Sequence, residues 1–141
     1  MRIAFASSEN TGNDKRARYA IDGKPETIWH TQFSPTLAKH PHELVIDLGA
    51  TYRVAGFRYL ARQDGGWNGA FAKTEFYVGN SPTDFGSPAA KVTFTKDRKV
   101  QSAGCGKPVR GRYVKVRVLS EVNGEAWGSA ADIGVVGKPA K

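Results

Sequence analysis

Apolar residues recur along the chain in short runs with the two-residue period of a β-strand, not the 3.6-residue period of a helix. Residues 43–48 read Glu-Leu-Val-Ile-Asp-Leu and stop at Gly49. Residues 54–60 form a second run, and residues 74–78 a third that closes at Gly79-Asn80-Ser81-Pro82. Residues 91–95 alternate. In residues 112–118, Val114, Val116 and Val118 share one face while Tyr113, Lys115 and Arg117 share the other. A last short strand is predicted over 133–136, and helical patterning is confined to a turn near residues 15–21. The 16 glycines and 7 prolines fall mostly between these runs. The pattern predicts an all-β chain folded as an antiparallel β-sandwich or jelly roll.

Three stretches fit neither strand alternation nor a plain turn: residues 20–31, 62–69 and 121–127. Each sets polar hydrogen-bonding side chains beside one tryptophan. An indole in a loop is costly to leave wet and recurs where a flat apolar ligand face must be covered. Trp29, next to Ile28, is expected to cap the core; Trp67 and Trp127 are candidates to meet a ligand.

A chain of 141 residues suits one domain with a real core, here residues 1–137 followed by a short tail at 138–141. Cys105 is the only cysteine, so no intrachain disulfide forms, and its place between Gly104 and Gly106 predicts a loop. No run approaches the length of a membrane span, and residues 1–6 are too short an apolar stretch for a secretory signal. The net charge of +8 favours an anionic partner through long-range attraction. Residues 96–117 hold eight basic residues against one acid, Asp97, and read as a solvated sheet face.

Four segments together carry a resemblance. They are Ala-Ile-Asp-Gly-x-x-x-Thr-x-Trp-His-Thr at 20–31, Pro-His-Glu-Leu-Val-Ile-Asp-Leu-Gly at 41–49, Arg-Gln-Asp-Gly-x-x-Asn-Gly at 62–69, and Glu-Val-Asn-Gly-x-x-Trp-x-Ser-Ala-Ala at 121–131. In this order they resemble the galactose-binding-like β-sandwich of factor 5/8 type C and discoidin domains. Within it they are most similar to family 32 carbohydrate-binding modules.

The resemblance implies a structural Ca²⁺ held by Tyr19, Asp22, Lys24, Thr27, Ala131 and Asp132, with Tyr19, Lys24 and Ala131 giving only main-chain carbonyls. Hard oxygen donors suit that ion. The family usually has Glu where Asp132 stands, one methylene longer. The resemblance also implies a sugar site at His30, Arg62, Asn68 and Trp127. A guanidinium fork and an amide would bind ring hydroxyls, and an indole would cover the C–H face. Trp67 joins this set, as does Asn13, which stands where some relatives carry a glutamate. Ala61 replaces a common proline, so a less rigid binding loop is expected. His42 reads as a structural residue.

Asn13 in place of a carboxylate, near Lys15, Arg16, Lys39 and Lys73, leads to the expectation of an acidic galacto-configured polysaccharide such as polygalacturonate. The alternatives are neutral galactose or N-acetylgalactosamine glycans, bound as the targeting module of a glycoside hydrolase, and an anionic lipid surface met by Trp67 and Phe71. Catalysis is not expected. A glycosidase needs two carboxyl groups flanking the scissile bond, and Asp22, Asp47, Asp64 and Asp132 are scattered or committed elsewhere. A nucleic-acid partner is not expected either, because the aromatic residues do not interleave with the basic ones. The resemblance implies a monomeric module in a secreted or periplasmic setting.

Overall fold

A computed structural model describes residues 1–140. The strands are β1 (Arg2–Ala6), β2 (Trp29–His30), β3 (His42–Leu60), β4 (Lys73–Gly79), β5 (Ala90–Thr93), β6 (Gln101–Val118), β7 (Ser129–Ala130) and β8 (Asp132–Pro139). Short 3-10 turns span Thr11–Asn13 and Ala17–Ile21. Among the described residues no helix is long and apolar enough to cross a membrane.

Two long strands, β3 and β6, organise both layers of an antiparallel sandwich. Residues 42–47 of β3 lie between β1 and the second half of β6, which continues to β4 and β5. Residues 52–60 of β3 lie between β8 and the first half of β6. The register breaks between Asp47 and Tyr52, where Gly49 adopts φ +85°, a region that favours glycine. Asp47 fastens this corner. Its buried carboxylate accepts from Gly49 N at 2.8 Å, from Arg112 Nε at 2.8 Å and from Arg2 Nε at 3.2 Å. The Arg112 bond and the Gly49 N–H hold the acid well below the usual carboxylate range.

The inward faces meet in an aromatic core. Phe57 of β3 stacks on Phe76 of β4 at 4.3 Å, so the pair joins the two layers. Tyr59 stacks on Phe71 at 4.2 Å, and Trp29 meets Phe71 edge-on at 6.4 Å. Trp29 is completely buried, and its indole N–H donates to the Ser8 carbonyl at 2.9 Å. Burial of each such ring contributes on the order of 1.5–3 kcal/mol.

Three expectations are corrected. The runs at 43–48 and 54–60 are one bent strand. Cys105 lies within β6, not a loop, half-buried, with its thiol pKa pushed up by burial. Gly104, Gly106 and Lys107 weaken the alternation of residues 101–111; in the ladder with β3, Gly104 pairs with Gly56 and Val109 with Val54, so residues 105–108 form a bulge within β6. Lys138 and Pro139 belong to β8, and Ala140 N donates to Thr51 O at 3.0 Å, so 138–140 is not a loose tail. Lys141 lies outside the described residues.

Candidate functional site: one loop end of the sandwich

The β2–β7 ladder pairs Trp29 with Ala130 and His30 with Ser129, carrying the 29–31 and 127–130 segments to the same end. Thr31 secures the pairing. Its N–H donates to Gly128 O at 2.8 Å, and its hydroxyl accepts from Gly128 N at 2.9 Å. His30 therefore sits beside Trp127, ring centroids 6.3 Å apart, and edge-on to Phe33 at 5.1 Å. Trp127 is half-buried and Phe33 is 41% exposed.

His30 has a defined tautomer. Its Nδ1 lies 2.7 Å from the Thr31 carbonyl. A carbonyl only accepts, so Nδ1 carries the proton and Nε2 keeps its lone pair. Burial, with positive charge at Arg62, lowers the imidazole pKa despite that bond. The neutral ring offers an acceptor to a ligand hydroxyl.

Arg62 stands near this ring. Its Nε and Nη2 fork onto Asp64 at 2.8 and 2.7 Å, and Nη1 donates to Asn68 O at 3.0 Å. Three of five N–H donors are used and two remain. The same bonds bring the Asp64 pKa down to about 2, so it stays charged and holds the guanidinium. The Asn68 carbonyl also accepts from the Ser129 hydroxyl at 2.7 Å, while its exposed side-chain amide has no partner among the described residues.

Asn13 is exposed, and its side-chain Oδ1 accepts from Asn10 Nδ2 at 2.8 Å. Buried Asn10 in turn accepts from Phe33 N at 3.1 Å and Ser34 N at 3.3 Å, which seats Phe33 beside His30. Phe33 escaped the sequence reading, because a lone aromatic in Gln32-Phe33-Ser34-Pro35 has no periodicity. Lys15 is close, its carbonyl accepting from His30 N at 3.2 Å. Arg16 is engaged by Asp14 and Glu9, and Lys73 lies on β4 in a groove with Glu75 and Lys91.

Trp67 has a partner within the protein. The Arg98 guanidinium lies 3.6 Å from its ring centroid, and the indole rests on the core. Arg98 Nη1 also donates to the carbonyls of Arg62 and Gly66, at 2.5 and 2.7 Å. Trp67 thus helps hold the 62–69 loop, and Arg98 is its clamp, not part of a solvated face. Gln63 adds a bond from Nε2 to Ala61 O at 2.7 Å. The loop is braced although Ala61 replaces proline. Phe71 is fully buried, which removes it as a membrane-facing spike. His42 is buried, and its Nε2 donates to Ala126 O at 2.6 Å, next to Trp127.

The metal-loop residues lie apart from these. The Asp22 carboxylate accepts from Lys24 N at 2.9 Å and meets the Thr27 hydroxyl at 2.5 Å; that hydroxyl is 3.1 Å from Lys24 O. Burial and the charge of Asp22 raise the Asp132 pKa. Two acids that repel each other, with no basic partner in an ion pair among the described residues, form a donor set a divalent cation fits. No three His, Cys, Asp or Glu side chains converge among the described residues. A cation here would therefore need the Thr27 hydroxyl and main-chain carbonyls such as those of Tyr19, Lys24 and Ala131.

A two-layer antiparallel sandwich with its polar and aromatic residues gathered on end loops defines the galactose-binding-like class. Residues 4–133 match the F5/8 type C domain, and the chain belongs to that family. Its structural relatives include CpGH89CBM32-5 from Clostridium perfringens, in complex with GalNAc-beta-1,3-galactose. That match is 31% identical with a TM-score of 0.82, covering 93% of this chain and 91% of that one. The family 32 module of Clostridium perfringens NanJ, in complex with galactose, matches at 26% identity and a TM-score of 0.79, over 93% and 90% of the two chains. The chain is a carbohydrate-binding module of the family 32 kind. It is also 36% identical to a sialidase of Micromonospora viridifaciens, over 98% of this chain and 21% of that protein. To a galactose oxidase of Gibberella zeae it is 35% identical, over 91% and 18%. The chain thus spans about a fifth of these curated relatives.

Proposed function

We propose that this end binds the ring of a galacto-configured sugar and carries out no chemistry on it. The observation that carries the reading is the convergence of unlike groups. His30 Nε2 presents an acceptor, Arg62 two spare donors, and Asn68 a free amide, while Trp127 and Phe33 supply apolar surface. A ring with one polar edge and one C–H face matches that set. Two similar modules are described as complexes with galactose and with GalNAc-beta-1,3-galactose.

Within this reading the ligand is an acidic galacto-configured polysaccharide, polygalacturonate being the test case, as a periplasmic or secreted module would meet. Asn13 stands where a carboxylate would repel a uronate, Lys15 adjoins His30, and the chain carries +8. Ca²⁺ at Asp22, Thr27 and Asp132 would neutralise the paired acids and brace the 19–27 loop. A neutral galactose glycan, bound as the targeting module of a larger enzyme, is the competing specificity.

Calorimetric titration of the calcium-loaded protein with polygalacturonate, galactan and galactose tests this. Heat from all three is the expected result, with the heat from galactan and galactose disappearing in Arg62→Ala and the acidic polymer weakening as salt is added. Binding of galactan and galactose alone would leave the sugar site standing and remove the acidic specificity. No heat from any of the three would overturn the reading.

A further inference from the structure

The outer face of the β8–β3–β6 layer carries a charge arrangement that the end-loop site does not use. Residues 51–60, 101–111 and 133–139 contain five basic residues and no acid. Arg53 pairs in register with Arg110 on one side and Lys138 on the other. Directly paired residues point to the same side of a sheet, and all three are exposed. Strand neighbours lie roughly 4.8 Å apart, and like charges set directly opposite destabilise a sheet. Two register shifts at Val54/Gly56 form a bulge that resets the alternation. Arg58, an odd number of residues from Arg53, consequently faces outward as well.

The surroundings leave Arg53, Arg58 and Lys138 open. Arg58 pairs with Ser102 and Gly134, and a Cβ on Gly134 would lie 3.4 Å from that of Arg58, so the glycine leaves it uncovered. Arg53, Arg58 and Lys138 form no ion pair among the described residues. Arg53 and Lys138 line a groove of ≈ 400 Å³ together with Ala55, Pro108, Val136 and Gly137.

We infer that this face is a second binding surface, for the backbone of an acidic polysaccharide, distinct from the end-loop site. Three features favour this occupant. The face is basic and carries no acid, which complements a linear polyanion. None of its outward positions near the groove is aromatic, so it has no platform on which bases would stack. Its apolar residues line a groove on sheet strands beside Arg53 and Lys138, not a projecting loop of the kind that enters a bilayer. The row also points toward the first site: Arg53 lies roughly 30 Å along the chain from Arg62, with Arg58 between them. One polymer can therefore touch both, and the two contacts reinforce each other through effective concentration.

The choice of a polysaccharide rests on the sugar-binding reading above, whereas the polyanion surface itself does not. The test compares wild type, Arg53→Gln/Arg58→Gln and Arg62→Ala, titrated with polygalacturonate and galactose at low and high salt. The double variant is expected to lose about tenfold in polygalacturonate affinity and to show a shallower salt dependence. It should bind galactose as wild type does and keep or raise its thermal midpoint, since repulsion is relieved. Arg62→Ala should retain salt-sensitive polygalacturonate binding without galactose binding. Loss of galactose binding by the wild type, with Arg53- and Arg58-dependent polymer binding intact, would overturn the end-loop reading and keep this surface. Unchanged polymer affinity in the double variant would overturn the surface. Tighter binding of a DNA oligonucleotide or of phosphatidylserine vesicles than of polygalacturonate would overturn the choice of occupant.

Discussion

The Glu121 carboxylate accepts the Gly69 N–H at 2.8 Å, a bond that spans 52 residues of sequence and joins the two loops that frame the sugar site. Its other oxygen accepts from Asn123 N at 2.8 Å and Glu125 N at 3.0 Å, folding the loop that ends in Trp127. One buried acid thus sets where Asn68 and Trp127 stand relative to each other.

Glu121→Gln replaces one accepting oxygen with a donor facing N–H groups. The expected cost is about 1–3 kcal/mol of folding stability, with a larger proportional loss of galactose affinity than of stability. Urea denaturation and calorimetric titration measure the two. A variant that is destabilised yet binds galactose normally would show that the loops do not depend on this bond for their spacing.

Arg98 touches no proposed ligand position but holds the Arg62 and Gly66 carbonyls and covers Trp67. Arg98→Ala should weaken galactose binding by about tenfold, equivalent to about 1.4 kcal/mol. The fluorescence of Trp67 should change at the same time. Full affinity in this variant would show that the loop keeps its shape without the Arg98 clamp.

The neutral tautomer of His30 makes binding sensitive to acid. Burial places its pKa below the ordinary 6.5, so galactose affinity should be flat above about pH 6.5 and fall as pH drops through the lowered value. Protonation turns the Nε2 acceptor into a donor. Stability moves in the same direction. His30, His40 and His42 all have lowered values, so below about 6.5 the unfolded chain takes up protons first and the fold weakens. Titrations across pH 5–8 check the affinity, and an affinity that rises on acidification would reject the assigned tautomer.

Asp132 runs the other way. Its raised pKa means that its contribution to stability is present below the ordinary carboxylate value and is lost as pH rises through the higher folded value. At neutral pH the metal-free protein therefore carries the Asp22–Asp132 repulsion, and added Ca²⁺ should raise the thermal midpoint. Asp132→Asn should be at least as stable as wild type in a chelator and respond less to Ca²⁺. Equal Ca²⁺ responses in the two proteins would argue against a cation at this pair.

The short β-rich apolar runs at 43–48, 54–60 and 74–78, with the alternation at 91–95 and 112–118, were enough to predict the sandwich, because strand preference and side-chain period are local properties that burial writes into neighbouring residues. The loop motifs pointed to His30, Arg62, Asn68 and Trp127 through the family resemblance they carry. Their approach to one another is another matter. It depends on the β2–β7 ladder and on Glu121, whose partner Gly69 is remote in sequence. Phe33 and Arg98 carry no local signature, since each acquires its role only from the ring or carbonyl that folding sets beside it. The opposition of Arg53, Arg110 and Lys138 is of the same kind, for three strands must come into register before like charges meet. Local patterning specifies elements, whereas contacts between distant loops and strands exist only once the chain has closed around its core.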